Sequence, residues 1–236
     1  MGSEVSVGSY EAASVTGTGN PEAPRTEADA AAADRALDAA RVAELLQRQD
    51  DLQAEAGQVS ADLRLDVVLG QVGRVVPIGS AASGLMVWRD LDLSIYCTGA
   101  EPGRDVATAL RDLLADPRML EAEYRNEVGP RSPSGGTHDQ RYYVVLHYLG
   151  AGDQEWKIDL SFWTDAGPRG EFIDAGRLRE RLTDETRLAI LWIKDVWHRL
   201  DCYPYEVGGM EVYDAVLNHG VRTPAEFATF LAGGSA

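Results

Sequence analysis

The chain has 236 residues and carries 38 acidic against 22 basic side chains, a formal charge of −16; that length suffices for one large domain or two small ones with a real core. Such a field argues against long RNA or DNA as a partner, because phosphate backbones are held by clustered Lys and Arg, and it suits a small, cationic substrate better. No apolar run approaches the ~18 residues of a membrane helix and the N-terminus lacks a signal-peptide pattern, so a cytoplasmic protein with no membrane contact is expected, Cys97 and Cys202 being reduced thiols.

Residues 1–25 are small and polar and read as a disordered tail. Thr26 and Asp29 resemble a capping box that opens a helix, and Leu37, Ala40, Leu45 and Leu46 continue it as an apolar stripe. A second helical segment is predicted over 50–69, with Leu52, Val59, Leu63 and Val67 as its apolar positions. Gly70 and Gly73 mark the break before the first strand.

That strand ends Val75-Val76-Pro77-Ile78, and a small-residue turn with Gly79, Ser80 and Gly84 leads to a second strand containing Asp90-Leu91-Asp92-Leu93. Residues two apart in a strand point the same way, so Asp90 and Asp92 share one face while Leu91 and Leu93 enter the core. Two carboxylates side by side repel, and each raises the other's proton affinity unless a cation sits between them. The pair is therefore a candidate site for a hard cation, Mg²⁺ above all. The competing reading is a solvated pair at a strand edge.

Beyond a turn at 99–103, a helix is predicted over 105–115 with Val106, Leu110, Leu113 and Leu114 inward; 121–128 reads as a short strand and 130–136 as a loop. Two stronger strands follow, 141–149 and 155–163, joined by the hairpin signal Gly150-Ala151-Gly152-Asp153. The later strand holds Asp159 between Ile158 and Leu160. Burying a bare carboxylate is costly, so Asp159 either faces solvent at an edge or is buried with a positive partner, a metal shared with Asp90 and Asp92 removing the cost. Lys157 lies on the same face, and a simple ion pair with it is the competing reading.

From 170 the pattern is helical. Thr183 caps a long helix with Asp184 and Glu185 in its first turn, packed through Leu188, Leu191, Trp192, Val196 and Leu200. Arg187, Lys194, His198 and Asp201 recur on one face, which for His198 and Asp201 reads as a solvated stripe. Another helix starts at Gly208 and ends C-cap fashion at Asn218-His219-Gly220; Thr223-Pro224-Ala225-Glu226 boxes the last one. His138, His147 and His219 form no ligand pattern.

The order strand, Gly79-Ser80, glycine-containing turn, Asp90-x-Asp92, then Asp159 on a later strand resembles the polymerase-β-like nucleotidyltransferase superfamily. Lys194 within Leu191-Trp192-Ile193-Lys194-Asp195-Val196-Trp197 resembles the lysine-bearing helix of its poly(A)-polymerase-like and oligoadenylate-synthetase-like members, whereas Gly209 and Met210 stand where those members carry a Ser-Tyr pair. The resemblance implies an α/β (α+β) fold: a mixed sheet flanked by helices in a catalytic domain over 26–169, then a small helical bundle over 170–236. It implies that Asp90, Asp92 and Asp159 are catalytic and hold two Mg²⁺ ions. Gly79 and Ser80 would cradle a phosphate, and Lys194 would contact the triphosphate, surface charge being the alternative for Lys194. The implied activity moves an NMP group from an NTP, ATP being the expected donor, to a hydroxyl of a small-molecule acceptor such as an antibiotic. Pyrophosphate is released, and a monomer or dimer is expected. A nucleotide second-messenger synthase, or a non-catalytic nucleotide-binding or toxin–antitoxin module of the same fold, are the alternatives.

Overall fold

The computed structural model describes residues 37–134, 139–165, 175–204 and 206–233. The predicted tail, the box of Thr26 and Asp29, His138 and the start of the helical region at 170 lie outside the described residues.

The first helix, α1 (Ala39–Asp62), is capped by Asp38, whose carboxylate accepts the Arg41 backbone N–H at 2.8 Å. Two helical segments are predicted here, yet one runs unbroken for 24 residues. The stretch 47–49 contains no Gly or Pro, and Leu45, Gln49, Leu52, Ala56 and Val59 form one buried stripe across it. The break falls instead at Arg64, which takes a left-handed conformation (φ 50°) and starts α2 (Leu65–Gly70). The change of direction takes Val67 off the buried stripe and leaves it 43% exposed.

A five-stranded mixed sheet follows, in spatial order β1-β2-β5-β4-β3. Its strands are β1 (Gly73–Ile78), β2 (Asp90–Cys97), β3 (Met119–Glu127), β4 (Arg141–Leu149) and β5 (Glu155–Trp163). β2 and β5 pair in parallel; β1 with β2, β5 with β4 and β4 with β3 are antiparallel. The turn between β1 and β2 is itself a one-turn helix, α3 (Gly79–Ser83), ended by Gly84 in the left-handed region. Helix α4 (Pro102–Leu114) links β2 to β3. It buries Val106, Ala109 and Leu113; Leu114, predicted inward, points out because it lies a full 100° round the helix from Leu113.

Leu91, Leu93 and Ile95 of β2, Val144, Leu146 and Tyr148 of β4, and Trp156, Ile158, Leu160 and Phe162 of β5 pack on one face of the sheet against α1, α2 and α4. Alternation then sends Asp90, Asp92, Lys157, Asp159 and Tyr143 to the other face. A second buried cluster joins Leu45 of α1 and Leu85 and Val87 to the C-terminal helices α5 (Ala175–Arg181), α6 (Asp184–Trp197), α7 (Gly209–His219) and α8 (Pro224–Gly233). The predicted caps are present: Thr183 accepts the Thr186 N–H, Gly220 is left-handed, and Thr223 accepts the Glu226 N–H at 3.1 Å. A mixed sheet flanked by helices with a helical C-terminal region is the architecture the resemblance implies.

Candidate active site

Strand register assembles the site. In the antiparallel β1–β2 pair Ile78 lies opposite Asp92, so the chain leaves β1 beside that carboxylate and turns into α3 at Gly79. Gly79 has φ +65°, and a Cβ there would collide with the Asp92 carboxylate. In the parallel β2–β5 pair Asp92 is level with Asp159 and Asp90 with Lys157. Asp159 is therefore no solvated edge residue: β5 is a central strand, and Asp90, Asp92 and Asp159 each present an oxygen within 4.8 Å of the others.

The electrostatics are those of crowded anions. Burial, and then the charges of Asp90 and Asp159, push the Asp92 carboxyl well above its usual value; burial also raises Asp90, with Lys157 working against it. The Asp159 Oδ2 accepts the Tyr143 hydroxyl at 2.8 Å and the Lys157 ammonium at 2.8 Å. Lys157 Nζ also donates to Asp90 Oδ1 at 3.2 Å. Burial pulls the Lys157 pKa down, but Asp90 and Asp159 outweigh it and hold the ammonium above its ordinary value. The Tyr143 hydroxyl is pushed up, first by burial and then by the Asp159 charge.

These residues fit a hard cation. The Asp159 Oδ1 is buried with no hydrogen-bond partner among the described residues, the glycine at position 79 leaves the Asp92 carboxylate clear, and an ammonium already bridges two of the three acids. Asp90, Asp92 and Asp159 would hold a divalent ion through oxygen ligands, the donor set Mg²⁺ prefers.

Lys194 is only 2% exposed, which overturns the surface-charge alternative. Its Nζ donates to the Leu85 carbonyl at 2.7 Å and lies 3.5 Å from the Tyr213 hydroxyl, tying α6 to the segment after α3 and to α7. Its charge acts on Asp90 and Asp92 without a direct hydrogen bond to either. Ser80 is buried in the first turn of α3, and the Ser83 hydroxyl donates to the Gly79 carbonyl at 3.0 Å. Asp201 is solvated as expected, but His198 is half-buried with Nδ1 donating to the Lys194 carbonyl at 2.9 Å.

Sequence reasoning missed the aromatic wall. The Trp88 ring centroid lies 5.8 Å from Lys157 Nζ, and Tyr203 meets Trp88 edge-on at 6.5 Å. Burial raises the Tyr203 hydroxyl pKa, and the charges of Asp90 and Asp92 add to that. Tyr143 is a diagonal neighbour of Asp159 across β4 and β5; once the hairpin was predicted, its register was the available signal. One count was also available: of the 22 basic residues only Lys157 and Lys194 are lysines, and both border this cluster.

No protein-family model and no curated protein matches the sequence. Among solved structures, the chain is similar to a cytoplasmic RNA terminal U-transferase, at 15% identity over 64% of this chain and 46% of that one, TM-score 0.41. It is similar to the terminal uridylyl transferase Cid1, at 16% identity over 64% and 44%, TM-score 0.42. It is also similar to CdnC of E. coli MS115-1 with ATP, at 13% identity over 84% and 62%, TM-score 0.36. The chain thus spans less than two thirds of each of these proteins.

Proposed function

We propose that the chain is a metal-dependent nucleotidyltransferase, moving an NMP group from an NTP to a hydroxyl of a small acceptor. The observation that carries this reading is the convergence of Asp90, Asp92 and Asp159 beside the Gly79 turn. Three acids sharing one face of a sheet, one of them with an oxygen buried and unpaired, are costly unless a cation is bound there.

In this reading Asp90, Asp92 and Asp159 would hold Mg²⁺, which when bound would supply neutralisation of the charge that develops during phosphoryl transfer. The chain's residues do the positioning. Gly79 and the first turn of α3 hold phosphate oxygens by backbone N–H groups, with the Ser80 hydroxyl as a further donor. Lys194 fixes the segment 84–87 and adds positive charge behind Asp90 and Asp92. Trp88 and Tyr203 offer rings on which a base stacks, in place of the missing Ser-Tyr pair. Asp159 is assigned to the acceptor hydroxyl and takes its proton. A bond forms from that oxygen to the α-phosphorus, the α–β phosphoanhydride bond breaks, and pyrophosphate leaves with the electron pair.

The net charge of −16 supports a small or cationic acceptor, such as an aminoglycoside-like antibiotic, over a polynucleotide. The test is incubation with each NTP, Mg²⁺ and a panel of acceptors, followed by pyrophosphate release and mass spectrometry. A gain of one NMP on an added small molecule is the expected result. Products built from NTP alone would move the chain to second-messenger synthesis, and extension of an oligonucleotide would overturn the small-acceptor reading. No pyrophosphate from any NTP would refute the transferase reading itself.

A further inference from the structure

The position of Lys157 sets it apart from an ordinary ion-pair partner. Its ammonium bridges Asp90 Oδ1 and Asp159 Oδ2, at 3.2 and 2.8 Å, on the one sheet face where three carboxylates meet. Register leaves it little choice of place, since Lys157 is level with Asp90 and two residues before Asp159. All basic residues but two are arginine, so a lysine here means a compact, rotatable ammonium on a flexible stem rather than a planar fork. The Trp88 ring centroid stands 5.8 Å from Nζ, so an aromatic face borders the cation where it sits in the cluster.

We infer that Lys157 is a displaceable internal cation: it fills the carboxylate cluster when no metal is bound and swings out toward the phosphates when one enters. The inference rests on the metal reading of the site given above. An ammonium and a divalent ion cannot share the same oxygens at close range, because their charges repel. Every metal-binding event must first remove Lys157 from Asp90 and Asp159, so apparent metal affinity is the intrinsic affinity multiplied by the fraction of molecules in which the lysine is already out. Once out, the ammonium is left next to the most anionic part of an incoming nucleotide. Lys157 thus couples metal entry to phosphate capture, and it spares the empty site the repulsion of three uncompensated acids.

The test uses the full chain and Mn²⁺ alone, followed by calorimetry without nucleotide. Lys157→Met, which keeps the stem and removes the charge, is expected to bind Mn²⁺ about tenfold more tightly than the wild type. An affinity that is equal or weaker in that variant, with the wild type binding normally, would overturn the role of Lys157 while leaving the metal site standing. Binding in neither protein would overturn both. Should Lys157→Met fail to fold, acylation of the wild type read by mass spectrometry replaces it, since the chain has only two lysines to score. Mn²⁺ is then expected to speed labelling of Lys157 several-fold while Lys194 stays protected, and a Lys157 rate unmoved by Mn²⁺ would refute the displacement.

Discussion

Gly79 and Asp92 are in such close contact that the sequence tolerates no side chain at the first. The β1–β2 register sets Ile78 against Asp92, and the next residue must turn away with φ +65° directly over that carboxylate. Gly79→Ala therefore meets two obstacles, a backbone region that disfavours Cβ and a collision with an acid already held in a crowded cluster. The expected outcome is a loss of roughly 1–3 kcal/mol in urea denaturation together with at least about tenfold weaker Mn²⁺ binding, as Asp92 is pushed out of the group. Retained metal affinity in this variant would mean that Asp92 is not a ligand.

Asp92→Asn separates charge from shape. Asp92 is the acid most strongly pushed toward its neutral form, by burial and by two like neighbours. Replacing it with a neutral isostere relieves repulsion in the metal-free protein, so the melting temperature should stay level or rise. The same change should abolish NTP turnover and remove any Mn²⁺-induced rise in melting temperature. Turnover that persists in Asp92→Asn contradicts the metal assignment.

Lys194 makes a stability prediction that a surface lysine would not. Its Nζ is the donor to the buried Leu85 carbonyl, at 2.7 Å. Lys194→Met keeps the stem and leaves that carbonyl unpaired, at a cost of about 1–3 kcal/mol. The urea midpoint, at unchanged m-value, reads this directly. A change within the scatter of ordinary surface substitutions would contradict the buried contact.

His198 should make the protein acid-sensitive. Burial is the main cause that brings its pKa down to about 4, with Arg199 and Arg48 also opposing protonation and Asp195 and the Lys194 carbonyl favouring it. The folded value lies below the unfolded value of ~6.5, so the unfolded chain takes up the proton first. The contribution of His198 is present above pH ~6.5 and is lost as pH falls toward 4, amounting to roughly 3 kcal/mol. His198→Gln cannot titrate, so its stability should fall less than that of the wild type over this window. Parallel pH profiles for the two proteins would show that His198 takes up its proton as readily in the folded chain as in the unfolded one.

The strands were legible because their signals are local. Alternation with β-branched and aromatic residues over 141–149 and 155–163, divided by Gly150 and Gly152, leaves few other readings, and both strands occur over those residues. The convergence of Asp159 with Asp90 and Asp92 needed the parallel β2–β5 pairing, which no local pattern encodes; only the cost of an acid in an apolar run pointed to it. Helix α6 was less legible for a physical reason. Its Asp195 is polar by type, yet it is 1% exposed because Arg41, Arg48 and Arg199 converge on it from α1 and from α6's own end. Periodicity counts such residues as polar and cannot see partners that arrive from about 150 residues away in the chain. Trp88 and Tyr203 were invisible as a pair for the same reason.

Helix α1 is rooted in both buried clusters, through Leu52, Ala56 and Val59 under the sheet and through Leu45 among the C-terminal helices, with Arg41 and Arg48 pinned to Asp195. It acts as a girder across the back of the molecule. A jaw-like swing of the C-terminal helices away from the sheet would have to bend this rod or tear two guanidiniums from a sunken acid. Movement at the carboxylate cluster is left to single side chains such as Lys157.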